Sequence, residues 1–223
     1  MSRVESASDS ESWSFPYPWV TEVGVAGFFL VALLIIALRG DLNPVDNYIS
    51  EYAVGPHGWG MRIGFVLLGI GSLNLVPGFF RPNLALEGRH QIGYLLAIWT
   101  VAVLTAAVFP VDLQGTPVTP IGTVHLVASL VGFLSLFVAM AVSVRRFKQS
   151  ETWRDRTRLT RAVAVLTPFV FVLEVSLFST LGWVGIGQWL LFALSGGWLV
   201  VLARQFDRLE ESIDESRRMT RET

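Results

Sequence analysis

Apolar residues along this chain gather into long unbroken runs, unlike the alternating or one-faced patterns of a water-soluble fold. Six runs, at about 20–38, 58–80, 91–111, 122–144, 162–181 and 184–203, have the roughly 18 to 25 residues that cross a hydrocarbon core. A segment inside a bilayer must satisfy its own backbone N–H and C=O groups, and none of these runs has the period-two pattern of barrel strands, so each is predicted to be a helix. The expected fold is all-α, a polytopic bundle of six transmembrane helices over residues 20–203. A polar N-terminal segment (1–19) and a charged tail (204–223) flank it, both too short to build a core. The first run follows an acidic flank, with Arg3 against Glu5, Asp9 and Glu11, and exceeds the roughly 7–15 apolar residues of a secretion signal. It is expected to remain attached as an anchor.

Charge then orients the bundle. Lys and Arg total 17, and six spans put all of them except Arg39 and Arg62 on one side. The positive-inside rule predicts both termini in the cytoplasm, in a multi-pass protein of the plasma membrane. Segment 145–161, with Arg145, Arg146, Lys148, Arg154, Arg156, Arg158 and Arg161 against Glu151 and Asp155, is expected to fix this topology or to hold anionic lipid head groups. The tail sets Phe206, Leu209 and Ile213 on one helical stripe and pairs Asp214 with Arg218, which predicts a solvated extension of the last span. Trp13, Tyr17, Trp19, Tyr48, Tyr52, Trp59, Trp183 and Trp189 lie around run ends, as in aromatic belts. Pro44 and Pro110 are expected to end the first and third helices.

Composition narrows the chemistry. The chain is 52% hydrophobic and 16% charged, against about 25% charged in soluble domains. Cysteine is absent, which excludes disulfides, thiolate ligands and a cysteine nucleophile. With a net charge of −1 and no nucleotide or metal-finger motif, the expected partners are membrane lipids and not nucleic acid.

Ionisable groups inside spans are costly and therefore mark candidate sites. Arg62, His125 and Glu174 lie in the outer halves of spans two, four and five, Asp112 closes span three at the same level, and loop 41–52 is crowded with donors and acceptors. The inner halves offer Ser72, Asn74, Ser143 and Ser195, but no titratable ladder for an ion relay. This asymmetry predicts an outward-facing pocket of Asp46, Ser50, Glu51, Arg62, Asp112, His125 and Glu174 that binds a lipid head group or small amphiphile. Two other classes stay open: a membrane-embedded hydrolase in which His125 and Asp112 activate water against a lipid ester or amide, and a small-solute transporter. No cofactor is expected; a metal would need His125 together with Asp112, Asp46 or Glu51. Plainer roles compete at each position. Arg62 can neutralise Glu174 or Asp112, while Asp46, Asn47 and Ser50 can cap a short outer helix. His125 can simply bond to a neighbour, and Ser129, Gly132, Ser135 and Ala139 can serve close helix packing.

Four stretches resemble the signature of the domain of unknown function family 998, six-helix membrane proteins of bacteria and archaea. They are Asn43-Pro44-Val45-Asp46-Asn47-Tyr48-Ile49-Ser50-Glu51-Tyr52, Phe109-Pro110-Val111-Asp112, His125, and Gly185-Ile186-Gly187-Gln188. The resemblance covers about residues 20 to 203; it implies the same six-helix bundle and carries no established activity. Trp189 stands where that family often has arginine. A more distant similarity is to hydrolases of the alkaline ceramidase type, which gather Ser, Asp and His at one interface; the His-x-x-x-His of their last helix is missing here.

Overall fold

The computed structural model describes residues 16–82 and 84–222. Six helices are long and apolar enough to cross a membrane. They are α1 (Pro18–Leu38), α2 (Gly58–Leu73, resumed over Val76–Phe79), α3 (Arg89–Val108) and α4 (Pro120–Gln149), together with α5 and α6. α5 runs over Thr157–Leu173 and continues through a π-helical turn, Glu174–Phe178, into Ser179–Leu181; α6 is Val184–Glu222. A short 3-10 helix, Ile49–Ala53, lies between α1 and α2, and no strand occurs among the described residues. The six-helix membrane bundle read from hydropathy is the observed fold.

Helix ends depart from the hydropathy boundaries where charge begins. α4 continues to Gln149 with Arg146 and Lys148 in its last turn, where cations suit the exposed carbonyls, and α6 continues into the tail as expected. Loss of apolarity marks the edge of the hydrocarbon, whereas a helix persists until a cap or breaker stops it. Pro44 does not end α1, which stops at Leu38. Pro110 does come closely after the end of α3 at Val108. Of the aromatic residues expected at head-group depth, Tyr17, Trp19, Trp59 and Trp183 are exposed, but Tyr52 is buried. Trp13 and the pairing of Asp214 with Arg218 lie outside the described residues.

Each helix packs on its sequence neighbours, and α6 returns against α1, so the bundle closes as a ring. Its centre is aromatic. Phe28, Phe65 and Phe192 meet with ring centroids 4.8 to 5.9 Å apart, and Phe133 adds a fourth ring 5.7 Å from Phe192. At the arginine-rich end a second cluster forms, in which Trp153 stacks on Phe147 at 4.6 Å and meets Phe206 edge-on at 5.4 Å. The bundle axis is thus filled at two depths by large apolar side chains.

The α1–α2 contact is the most extensive in the ring. It depends on small residues, because there is no hydrophobic gain between helices already in lipid and close backbone approach supplies the dispersion energy instead. A Cβ on Gly24 would sit 2.5 Å from the Leu67 carbonyl oxygen and 2.8 Å from Gly71 Cα. Thr21 Oγ1 donates to the Gly71 carbonyl at 2.8 Å, and Asn74 Nδ2 donates to Thr21 Oγ1 at 3.1 Å. Gly24→Val should therefore cost about 1–3 kcal/mol or more through overpacking. Gly197→Ala, where a Cβ meets nothing within 4 Å, should be neutral or gain about 0.5–1 kcal/mol. Melting temperatures of the purified proteins in detergent check both.

Candidate functional site

The end of the bundle opposite the arginine-rich segment is closed by loop 39–57, and two buried charged side chains hold that loop. Arg39 is only 3% exposed. Its Nε and Nη2 donate to the two oxygens of Asp41, both at 2.7 Å, and its Nη1 donates to the carbonyls of Val54 at 2.5 Å and Pro56 at 3.0 Å. The hydrogen bond to Arg39 holds the Asp41 carboxyl below its ordinary value. Glu51, 1% exposed, accepts four N–H groups. Its Oε1 takes the backbone N–H of Gln114 at 2.7 Å. Its Oε2 takes Gln114 Nε2 at 2.9 Å, Tyr48 N at 2.9 Å and Asn47 Nδ2 at 3.0 Å. Glu51 thereby ties the loop after α1 to the loop after α3.

The start of α6 is seated in the same loop. Gly185 N donates to the Val45 carbonyl at 2.9 Å, and a Cβ on Gly185 would lie 2.2 Å from the Pro44 carbonyl oxygen. A Cβ on Gly187 would lie 2.9 Å from Glu174 Cγ, so its absence admits the Glu174 side chain. Gln188 Oε1 then accepts the backbone N–H of Ser50 at 3.1 Å. The Gly-Ile-Gly-Gln run is explained residue by residue: one glycine lets the loop touch the helix, the next makes room for a carboxyl, and the glutamine caps the 3-10 helix.

Between α4, α5, α6 and this loop lies a cavity of about 340 Å³. Its polar lining is Tyr48, Ser50, His125, Ser129, Glu174 and Gln188; Phe133, Phe171, Leu126, Leu130, Val111 and Val175 supply the apolar part. A small chamber of about 30 Å³ continues inward past Ser50, His125, Ser129 and Gln188 to Trp99, Phe65 and Phe192. Leu126 and Val175 on the rim are 64% and 60% exposed, so the mouth opens between α4 and α5 onto the lipid-facing surface. α5 is the least buried of the six helices, and its backbone is interrupted twice. Pro168 removes the N–H that would meet the Ala164 carbonyl, and the π-helical turn begins at Glu174 itself.

Several polar groups facing this cavity have no hydrogen-bond partner among the described residues. The Glu174 side chain, 5% exposed, takes part in no hydrogen bond or ion pair there. The hydroxyls of Ser50 and Ser129 and the side-chain N–H₂ of Gln188 are likewise unpartnered. His125 Nδ1 lies 2.8 Å from the Phe109 carbonyl. A carbonyl can only accept, so Nδ1 carries the proton and, in the neutral ring, Nε2 presents a lone pair. Burial, with Glu174 and Glu51 adding to it, raises the Tyr48 phenol above its ordinary value, so its O–H remains a donor at neutral pH.

Of the residues singled out from sequence, Ser50, His125 and Glu174 meet at the cavity. Asp112 does not bond to His125; its two oxygens accept the Thr119 hydroxyl and backbone N–H, both at 2.8 Å, where Thr119 caps α4. Asp46 is exposed and accepts from Asn43 Nδ2 at 2.9 Å within the loop. Arg62 neutralises neither Glu174 nor Asp112; its Nε donates to the Ala53 carbonyl at 3.3 Å. The short outer helix exists, but the N–H of Tyr48, the residue that caps it, is met by Glu51 and not by Ser50 or Asn47. Among the described residues no group of three His, Asp or Glu could hold a metal ion. The sequence pattern assigned no role in the pocket to Gln188, Ser129 or Tyr48. Gln188 was within reach as the polar end of a glycine-spaced run; Ser129 was indistinguishable from a packing residue.

Glu51→Ala should cost at least about 3 kcal/mol, because buried N–H groups of two loops lose their acceptor, with Glu51→Gln intermediate; thermal unfolding in detergent measures this. A lowered carboxyl at Asp41 contributes stability that is complete above the ordinary carboxylate range and is lost as pH falls through it. Asp41→Asn should flatten the acid limb of a plot of melting temperature against pH and leave the neutral region nearly level.

Comparison with curated proteins finds no match, and comparison with solved structures finds none either. One family model does match, over residues 23–205 and hence most of the chain, including every element that builds the cavity. The chain belongs to the family described as protein of unknown function DUF998.

Proposed function

We propose that this membrane protein binds a lipid head group or small amphiphile in the cavity beneath loop 39–57, entered from the bilayer between α4 and α5. The observation that carries the reading is Glu174: a buried carboxyl with no partner among the described residues, facing a cavity whose rim is lipid-exposed leucine and valine. Burying a polar group without a partner is costly, and such costs in a spanning segment mark binding positions. Aromatic filling of the bundle axis favours binding over passage of a solute. A hydrolytic reading draws on the Nε2 lone pair of His125 beside the Ser50 and Ser129 hydroxyls; turnover of a lipid ester or amide by the purified protein, abolished in His125→Ala, would put catalysis in place of binding.

The excess of arginine at the far end supports a cytoplasmic position for both termini and an exoplasmic position for the cavity, in the plasma membrane. Reporter fusions at either terminus should be active only for a cytoplasmic reporter. For binding, lipids extracted from purified protein and identified by mass spectrometry should include a species depleted by about tenfold in Glu174→Gln and in Ser129→Leu, which fills the cavity. Equal recovery of every lipid from the wild type and both variants would remove the reading.

A further inference from the structure

The charge inventory of the cavity selects among amphiphiles. Every ionic head group needs a counter-charge or several hydrogen bonds once it leaves water. The cavity has one carboxyl, Glu174, and no Lys or Arg in its lining. Of the two arginines at this end of the bundle, Arg62 is turned to the Ala53 carbonyl, and Arg39 is saturated by Asp41, Val54 and Pro56. A phosphate or carboxylate head group entering here would leave water without a cation to offset its charge. An ammonium group would meet a carboxyl that has no partner of its own and whose ionised form a cation favours, in a cavity that His125 also lines. The apolar walls agree, since Phe133 and Phe171, with ring centroids 6.2 Å apart and tilted by 39°, both line the cavity and offer a cation aromatic surface.

Resting on the binding reading above, we infer that the occupant is an amphiphile with a protonated amine head group and a single apolar chain, and not an anionic lipid. The amine sits between Glu174 and His125, and the chain leaves through the α4–α5 mouth past Leu126, Leu130 and Val175. The Ser50 and Ser129 hydroxyls and the amide of Gln188 serve a hydroxyl substituent on the head group, which the inner chamber of about 30 Å³ is large enough to admit.

The test uses the full chain purified in dodecyl maltoside, with dodecylamine, dodecyl phosphate or dodecanol added to the micelles and binding measured through intrinsic tryptophan fluorescence and thermal shift. The expected result is saturable binding of dodecylamine, weakened about tenfold or more in Glu174→Gln, with dodecyl phosphate binding more weakly than dodecanol. Exposed Glu211→Gln serves as the control for the charge that dodecylamine gives to the micelle, and should leave the affinity unchanged. Ser129→Leu should abolish binding of dodecylamine and dodecanol alike, and provides a second variant should Glu174→Gln fail to fold. Dodecyl phosphate binding as well as dodecylamine, or dodecylamine binding unchanged in Glu174→Gln, overturns the amine inference; loss of that binding in Ser129→Leu would still leave the cavity as an amphiphile site. Binding of all three probes that neither cavity variant alters overturns both.

Discussion

A single carboxylate, that of Glu51, makes it possible for irregular backbone to close one end of this bundle. Loops at the edge of a bilayer carry N–H groups that neither a helix nor the hydrocarbon can satisfy. Glu51 collects such groups from Tyr48, Asn47 and Gln114 at once, and so draws the loop after α1 and the loop after α3 into one lid. Tyr48 and Ser50 precede it in sequence and line the cavity, Tyr48 held by its N–H to Glu51 and Ser50 by its N–H to Gln188. The start of α6, seated on the lid through Gly185 and Gln188, inherits its position. Arg39 secures the other side of the loop. The cavity therefore depends on residues that line none of it.

The walls are unequal. α1 and α2 are joined by backbone approach at Gly24 and Gly71, and α3 with α4 forms the next most extensive contact. α5 packs less, carries Pro168, and widens into a π-helical turn at the residue that bears the buried carboxyl. An extra residue in one turn shifts the register of every later turn, which is how a single helix can pack apolar side chains along one part of its length and aim Glu174 inward at another. A lightly packed helix beside a lipid-facing mouth is a suitable wall for a site filled from the bilayer.

His125 illustrates how far chemistry can be inferred from spacing. Its place near the start of α4, and Asp112 near the end of α3, suggested a histidine oriented by an acid. The backbone carbonyl of Phe109 takes that part, while Asp112 is spent on the cap of α4 at Thr119. Both choices satisfy the histidine equally well from the sequence standpoint, since a carbonyl and a carboxylate are each good acceptors for Nδ1–H. Glu51 and Glu174 show the same ambiguity in reverse: both are buried carboxyls, yet one is saturated by N–H donors and the other is bare. No composition or periodicity separates them.

The set of spans, their helical character and the gathering of in-span titratable groups toward one end were legible in the order of residues alone, because hydrophobic thickness, backbone satisfaction and charge are properties of short contiguous segments. Ser50, His125 and Glu174 could be nominated on those grounds. That Asp46, Asp112, Glu51 and Arg62 hold the frame while Gln188 and Ser129 join the cavity emerged with the packed bundle. The reason is geometric: a hydrogen bond is won by whichever acceptor lies within about 3 Å in the right direction, and for partners such as Glu51 and Gln114 or Ser50 and Gln188 that closeness exists only after the ring of helices has closed.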